Sequence, residues 1–297
     1  MKALLETLNS GADYLAKRQI EDSRLNMEHL LAHVLGCRRL DLYLRFDQVL
    51  DEGQLQPLRS LLKRRGEGVP LQHLLGSVPF HGHEFVSDSR ALIPRPETEH
   101  LVHLLADKRL KNQSPARALD VGAGSGCIGL SLAKQWPQCR VTLVDVSEDA
   151  LELARLNAHR LGLEGANVSF FRSDLFEELG GERFDLVVAN LPYIPTAEMN
   201  ELSREVLHDP HLALDGGADG LDIIRRLIDG APGHMNSHAL MALELHHDQA
   251  GAVANLLQAA GFTDIQRAQD LSGIERFVFA QAPEVVETPP ADVTEAD

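Results

Sequence analysis

The chain is 297 residues long, 44% hydrophobic and 24% charged, with a net charge of −16. That length exceeds one small core and points to two domains, and the composition is that of a soluble globular protein. The acidity argues against sequence-independent binding to a phosphate backbone, which needs clustered Lys and Arg.

Residues up to about 76 read as helical. Leu4, Leu5, Leu8, Tyr14 and Leu15 recur at helical intervals. Ser23 is positioned to cap a second helix carrying Met27, Leu30, Leu31, Val34 and Leu35. Asp51 caps a third, with Leu55, Leu58, Leu61 and Leu62, ending in Lys63-Arg64-Arg65 and Gly66. The basic trio is a local candidate patch, but it reads more simply as the solvated end of a helix. Ser77 to Ser87 is short, aromatic and broken by Gly82, as in a hairpin. Pro96 suits the first position of a helix running to about Ala106, and Asp107 to Pro115 reads as a linker.

From Arg117 on, strands and helices alternate. The candidate strands are Ala118–Val121, Val141–Asp145, Val168–Arg172, Phe184–Ala189, Leu240–Leu245, Thr263–Ala268 and Glu275–Ala280. The expected fold is α/β, a doubly wound, mostly parallel, seven-stranded Rossmann-like sheet preceded by a small all-helical domain. The last two strands follow each other closely, so an antiparallel last strand is expected. The divisions are 1–76 helical, 77–90 hairpin linker, 91–281 sheet domain and 282–297 a disordered, dispensable acidic tail.

Cys37, Cys127 and Cys139 have no CxxC spacing, which fits reduced thiols in a cytoplasmic protein. His81 with His83, and His246 with His247, lack further ligands at metal spacing, so no metal is expected. No run of about 18 apolar residues is present to span a membrane. Glu6 and Asp13 do not suit a signal peptide.

Two features carry chemistry. Asp120-Val121-Gly122-Ala123-Gly124-Ser125-Gly126 joins the first sheet strand to its helix. Its glycines allow close ligand approach, and the helix start favours an anion. A tight strand-to-helix turn explains the same glycines. Asp145 ends the second strand, where a carboxylate accepts both hydroxyls of a ribose or else caps a helix. Ser173-Asp174-Leu175-Phe176 follows the third strand, with Asp174 placed to read a base edge and Leu175 to cover its face. Asn190-Leu191-Pro192-Tyr193 follows the fourth strand, at the end where open α/β sheets bind ligands. An Asn amide, a rigid Pro and a flat Tyr ring suit a planar –NH2 group, although Asn and Pro also make ordinary turns.

With these motifs the chain resembles the class I S-adenosylmethionine-dependent methyltransferases. Within them it is similar to the bacterial protein-(glutamine-N5) methyltransferases of peptide chain release factors. Four segments carry the likeness: Leu92-Ile93-Pro94-Arg95-Pro96-Glu97-Thr98-Glu99, the glycine loop, the tetrapeptide, and Asp209-Pro210 through Gly216-Gly217 to Leu221. The first segment is the most specific, since related enzymes acting on a large-subunit ribosomal protein usually differ there. The resemblance implies S-adenosylmethionine held by Asp120, Gly122, Ala123, Gly124, Ser125, Gly126, Asp145, Asp174, Leu175 and Asn190. It implies a substrate glutamine held by Asn190, Leu191, Pro192 and Tyr193, with Arg95 shaping the entrance or making a structural ion pair. Asn190, Pro192 and Tyr193 would carry catalysis. Two positions depart from the family pattern: Leu191 replaces a usual proline, and Asp209 a usual glutamate. The Leu form also occurs in ribosomal RNA adenine dimethyltransferases. The competing readings are methylation of a ribosomal-protein glutamine, N6-adenine methylation of rRNA or DNA, a nicotinamide dehydrogenase and a non-catalytic binding protein. The expected partner is a release factor, with no nucleic acid and no membrane.

Overall fold

The computed structural model describes residues 2–110, 113–163, 165 and 167–284. The chain begins with β1 (Lys2–Ala3), α1 (Leu4–Ala16), α2 (Ser23–Leu35), β2 (Val49–Leu50), α3 (Glu52–Gly66) and α4 (Leu71–Leu75). Leu4, Leu8, Leu15, Met27, Leu30, Leu31, Leu55 and Leu58 meet in one core of their own. Helices α1 and α2 approach closely at Gly11, where a Cβ would lie 2.3 Å from the Met27 sulfur.

Three details differ from the expectation. The region is not purely helical, because β1 pairs antiparallel with β2. Asp22, at φ 46°, is the N-cap of α2, and Ser23 is its first helical residue. Asp51 does cap α3: its Oδ1 accepts from the Gln54 N–H at 3.0 Å, and Gln54 Oε1 accepts from the Asp51 N–H at 3.2 Å. The basic end of α3 is not one solvated patch. Lys63 and Arg64 are exposed, but Arg65 is 3% exposed and turned inward. Its Nε donates to Asn26 Oδ1 at 2.6 Å, one Nη donates to the Val69 carbonyl at 3.1 Å, and the other pairs with Glu205.

Strands β3 (Ser77–Phe80) and β4 (His83–Val86) form the expected hairpin. Its two turn residues, His81 and Gly82, have φ of 49° and 75°, as a two-residue turn matching strand twist requires. Helix α5 (Pro96–His103) starts at proline and continues into a wide helical turn over Leu104–Arg109, which carries helix through Asp107, Lys108 and Arg109 where a linker was expected.

Then come β5 (Arg117–Val121), α6 (Cys127–Gln135), β6 (Arg140–Asp145), α7 (Glu148–Arg160), β7 (Val168–Arg172) and β8 (Phe184–Asn190). They are followed by α8 (Asp222–Gly230), β9 (Met235–Glu244), α9 (Ala250–Ala259), β10 (Thr263–Gln269) and β11 (Glu275–Gln281). The sheet order is β10-β11-β9-β8-β5-β6-β7. β5 to β9 are parallel to one another, and β11 runs antiparallel to both β9 and β10. Near-continuous apolar strands are buried on both faces, with one core on each side of the sheet. The chain leaves β5 in one direction along the sheet and returns to the other side at β8. That reversal opens a crevice at the carboxyl ends of β5 and β8, where ligands bind in such folds.

Ordered chain runs past the expected start of the tail. Ala282 is 1% exposed, and its N–H donates to the Ala239 carbonyl at 2.8 Å. From residue 285 the acidic tail lies outside the described residues.

Candidate active site

A cleft of about 260 Å³ occupies that crevice. Its floor is the loop after β5. Gly122, Gly124 and Gly126 have φ of 70°, 55° and 79°, which only glycine adopts without strain. At Gly122 a Cβ would also meet Leu191 at 2.8 Å. Gly122, Ala123, Gly124 and Ser125 line the cleft. Gly126 does not; it packs against Leu130 and Ala154.

Asp145 crosses to this loop from the end of β6. One carboxylate oxygen accepts the Gly124 N–H and the other the Ser147 N–H, each at 2.9 Å. Burial raises its carboxyl, and these backbone donors oppose the rise. Each oxygen keeps a further lone pair for a ligand hydroxyl.

Asp120 sits behind the loop and not in the cleft. It is 1% exposed, and its Oδ2 accepts the Gly129 N–H at 2.7 Å, which fixes the start of α6. Burial pushes it up to about 7. Asp174 and Leu175 line the far end. Leu175 is held at φ 54°, a strained angle for a non-glycine residue. Ser173 steadies it by donating its hydroxyl to the Leu175 carbonyl at 3.0 Å. Asp174 pairs with Arg226 at 2.9 Å.

At the other end lies the tetrapeptide. Asn190 ends β8, beside Glu244 at the end of β9. Asn190, Leu191 and Pro192 line the cleft. Asn190 Nδ2 donates to Thr98 Oγ1 at 3.0 Å, so α5 reaches the site through its first turn. Tyr193 is set behind the wall. Its ring lies 6.0 Å from that of His246, and its carbonyl accepts from Gln249 Nε2 at 2.9 Å. Burial raises its phenol.

The segment from Asp209 to Gly217 braces this loop. The Ile194 N–H donates to the Leu214 carbonyl at 3.0 Å, and the Gly216 N–H to the Ile194 carbonyl at 2.8 Å. Arg95 and Asp209 form an ion pair at 2.5 Å, and the Ile93 N–H donates to Asp209 Oδ1 at 3.2 Å. Arg95 thus makes the structural pair that was one of its two expected roles, and it also lines the cleft.

Sequence reasoning brought Gly122 to Ser125, Asp145, Asp174, Leu175, Asn190, Leu191, Pro192 and Arg95 to one cleft. It missed Thr98, Arg226, Pro210 and Ile223, which also line it. Thr98 lies inside a segment already singled out; Arg226 gave no signal. His246, His247 and Asp248 bring donor atoms within 4.8 Å of one another, outside the cleft.

Residues 6–76 match the family model of the PrmC N-terminal domain, and residues 98–219 that of the Methyltransferase small domain. The release factor glutamine methyltransferase of Geobacter sulfurreducens is 43% identical over 267 residues, covering 89% of this chain and 92% of that one. That of Chlorobaculum tepidum is 38% identical over 283 residues, covering 92% and 95%. Among solved structures, the hMettl16 catalytic domain in complex with MAT2A 3'UTR hairpin 6 shares the fold. Its TM-score is 0.55 at 12% identity, covering 80% of this chain and 84% of that one. With the glycine loop, the tetrapeptide cleft and this extent of identity together, the chain belongs to the family of release factor glutamine methyltransferases.

Proposed function

We propose that this protein transfers the methyl group of S-adenosylmethionine to the side-chain amide nitrogen, N5, of the glutamine in the Gly-Gly-Gln motif of peptide chain release factors. The carrying observation is the Asn190 amide, set in the wall of the cleft within one sheet spacing of the glycine loop and tethered by Thr98. The cleft fits the cofactor. The buried Ser125 Oγ has no partner beyond the neighbouring Cys127 thiol, the Gly122 backbone is open to close approach, and Asp145 keeps lone pairs for ribose hydroxyls. Gly122, Ala123, Gly124 and Ser125 hold the methionine part, Asp145 the ribose, and Asp174 and Leu175 the adenine. When bound, S-adenosylmethionine supplies an electrophilic sulfonium methyl.

The acceptor nitrogen is a poor nucleophile because its lone pair is delocalised into the carbonyl. Asn190 Oδ1 and a backbone carbonyl of the Pro192 region accept its two N–H bonds. That orients the nitrogen and stabilises the positive charge that develops on it as the N–C bond forms and the C–S bond breaks; S-adenosylhomocysteine is the leaving group, and the nitrogen's surplus proton is given up to solvent. Leu191 and Pro192 exclude water. Tyr193, anchored by Gln249, holds the tetrapeptide from behind instead of packing on the amide.

A glutamine reaches this wall only from a flexible small-residue loop. The helical region 1–76 docks the body of the factor, with Leu40, Tyr43 and Leu44 exposed on it. The protein acts in the cytoplasm on a protein partner, without direct nucleic-acid contact, in line with its net charge of −16. Among the described residues no helix is long and apolar enough to cross a membrane.

The test incubates the protein with isotopically labelled S-adenosylmethionine and a release factor and maps the methylated residue by mass spectrometry. Label on the Gly-Gly-Gln glutamine is expected. Label on a ribosomal protein, or on another residue of the factor, overturns the substrate assignment.

A further inference from the structure

Glu244 ends β9 next to Asn190 and is 2% exposed. Its Oε2 is buried without a hydrogen-bond partner. An unpaired buried carboxyl oxygen is costly, so its retention calls for a reason. Glu244 does not line the cleft, whereas Asn190 and Thr98, in front of it, both do. Thr98 and Asn190 both favour the charged form of the Glu244 carboxyl.

We infer that Glu244 is a positioning residue which, with Thr98, fixes the flip of the Asn190 amide so that Oδ1 faces the acceptor. This inference rests on the proposed glutamine methylation. An Asn amide is nearly symmetric in shape, and only its neighbours decide which end faces forward. Thr98 Oγ1 takes one Nδ2 hydrogen at 3.0 Å, and the carboxylate behind it attracts the –NH2 end. A flipped amide would turn its oxygen toward a carboxylate and its –NH2 toward the substrate –NH2, and both contacts are repulsive.

Protonation reverses the preference. A neutral Glu244 carboxyl can donate to Oδ1 and hold the amide in the unproductive flip. Burial pushes this carboxyl up to about 7, opposed by Thr98, Arg276 and Asn190 and assisted by Glu97. The charge on Glu244 also acts on the Tyr193 phenol and the Cys127 thiol, raising both. Glu244 is thus ionised above about pH 7 and neutral below it.

The test compares wild type with Glu244→Gln, and Thr98→Val with Thr98→Ser, on a release factor. Wild-type kcat should fall on the acid side of about pH 7. Glu244→Gln should lose this acid limb and about 10–100-fold in kcat, as for a hydrogen bond to a charged group. Cofactor affinity measured by calorimetry should stay the same. Thr98→Val should lower kcat and keep the limb, and Thr98→Ser should restore kcat. An unchanged limb in Glu244→Gln, or wild-type kcat in Thr98→Val, overturns the inference; the Thr98 pair decides alone if Glu244→Gln does not fold. Independently of any acceptor, the Asn190 side-chain –NH2 resonances of 15N-labelled protein should titrate near pH 7. Fixed resonances overturn the inference. Titrating resonances with no methylation of the factor overturn the substrate assignment instead.

Discussion

Arg95→Ala removes the cation from a carboxylate that has no exposed surface of its own. The Asp209 side chain is 0% exposed and that of Arg95 33%. Without Arg95, Asp209 keeps one backbone bond, from the Ile93 N–H. Breaking a fully buried pair costs about 3–5 kcal/mol, and an exposed pair is worth about 0–1 kcal/mol. With one partner one-third exposed, an intermediate cost of about 2 kcal/mol is expected for Arg95→Ala. Asp209→Asn strands only a cation that water reaches, and about 1 kcal/mol is expected. The double variant strands no charge, so its cost should fall short of the sum by about 1 kcal/mol.

The pH dependence follows from the sign of the shift. Burial raises the Asp209 carboxyl above its ordinary 3.8, and Arg95 opposes that rise. A carboxyl raised on folding binds more protons folded than unfolded, so stability falls as pH climbs from the unfolded value through the folded one. Removing Arg95 widens that window. The deficit of Arg95→Ala should therefore be smallest in acid and grow toward neutrality. Urea unfolding of the four proteins at several pH values measures it. Strictly additive costs, or a deficit that shrinks with rising pH, would refute the reasoning.

Asn190→Ala should lower kcat by roughly 10²–10³, as when a preorganised polar contact at a developing charge is lost; single-turnover methylation measures it, and normal turnover would remove Asn190 from the site. Gly122→Ala adds a Cβ 2.8 Å from Leu191 at φ 70°. A cost of about 1–3 kcal/mol and weaker cofactor binding are expected, seen by thermal melt and calorimetry. Asp120 is raised from 3.8 to about 7, so wild type loses stability as pH rises across that interval. Asp120→Asn should remove this fall, worth on the order of a few kcal/mol at about 1.4 kcal/mol per unit. Comparing melts of the two proteins below and above that interval tests it.

The middle of the sheet was legible because its strands are apolar runs long enough to be buried on both faces. Phe184–Asn190 and Arg140–Asp145 needed little more than hydrophobicity to locate. The start of β9 was missed because Met235–His238 mixes polar side chains, and its pairing is long-range, with Phe184 at Met235 and Ala282 at His238. Asp145 was legible because strand end and carboxylate coincide locally. Asp120 was misplaced by the same rule: which way a strand-end acid points depends on the helix packed over it, here at Gly129. Tyr193 was expected in the cleft and does not line it; its carbonyl is held by Gln249, a residue distant in sequence. Glu244 read as an ordinary strand end; its isolation arises only where β8, β9 and α5 meet.

Arg65 joins the two halves of the molecule and bears on how docking reaches the chemistry. On the helical side it is fixed by Asn26 and by the Val69 carbonyl. On the other side it pairs with Glu205, and the adjacent Arg204 donates to the Arg18 carbonyl at 3.0 Å. Glu205 is four residues before Asp209, the partner of Arg95, and the same segment goes on to brace Ile194 through Leu214 and Gly216. A buried guanidinium with fixed donors transmits position better than a surface lysine would, because its planar fork leaves little rotational freedom. The segment 204–216 is therefore held at one end by the helical region and at the other by the tetrapeptide loop. If a factor docks on the helices as proposed, this segment registers it against the residues proposed to grip its glutamine.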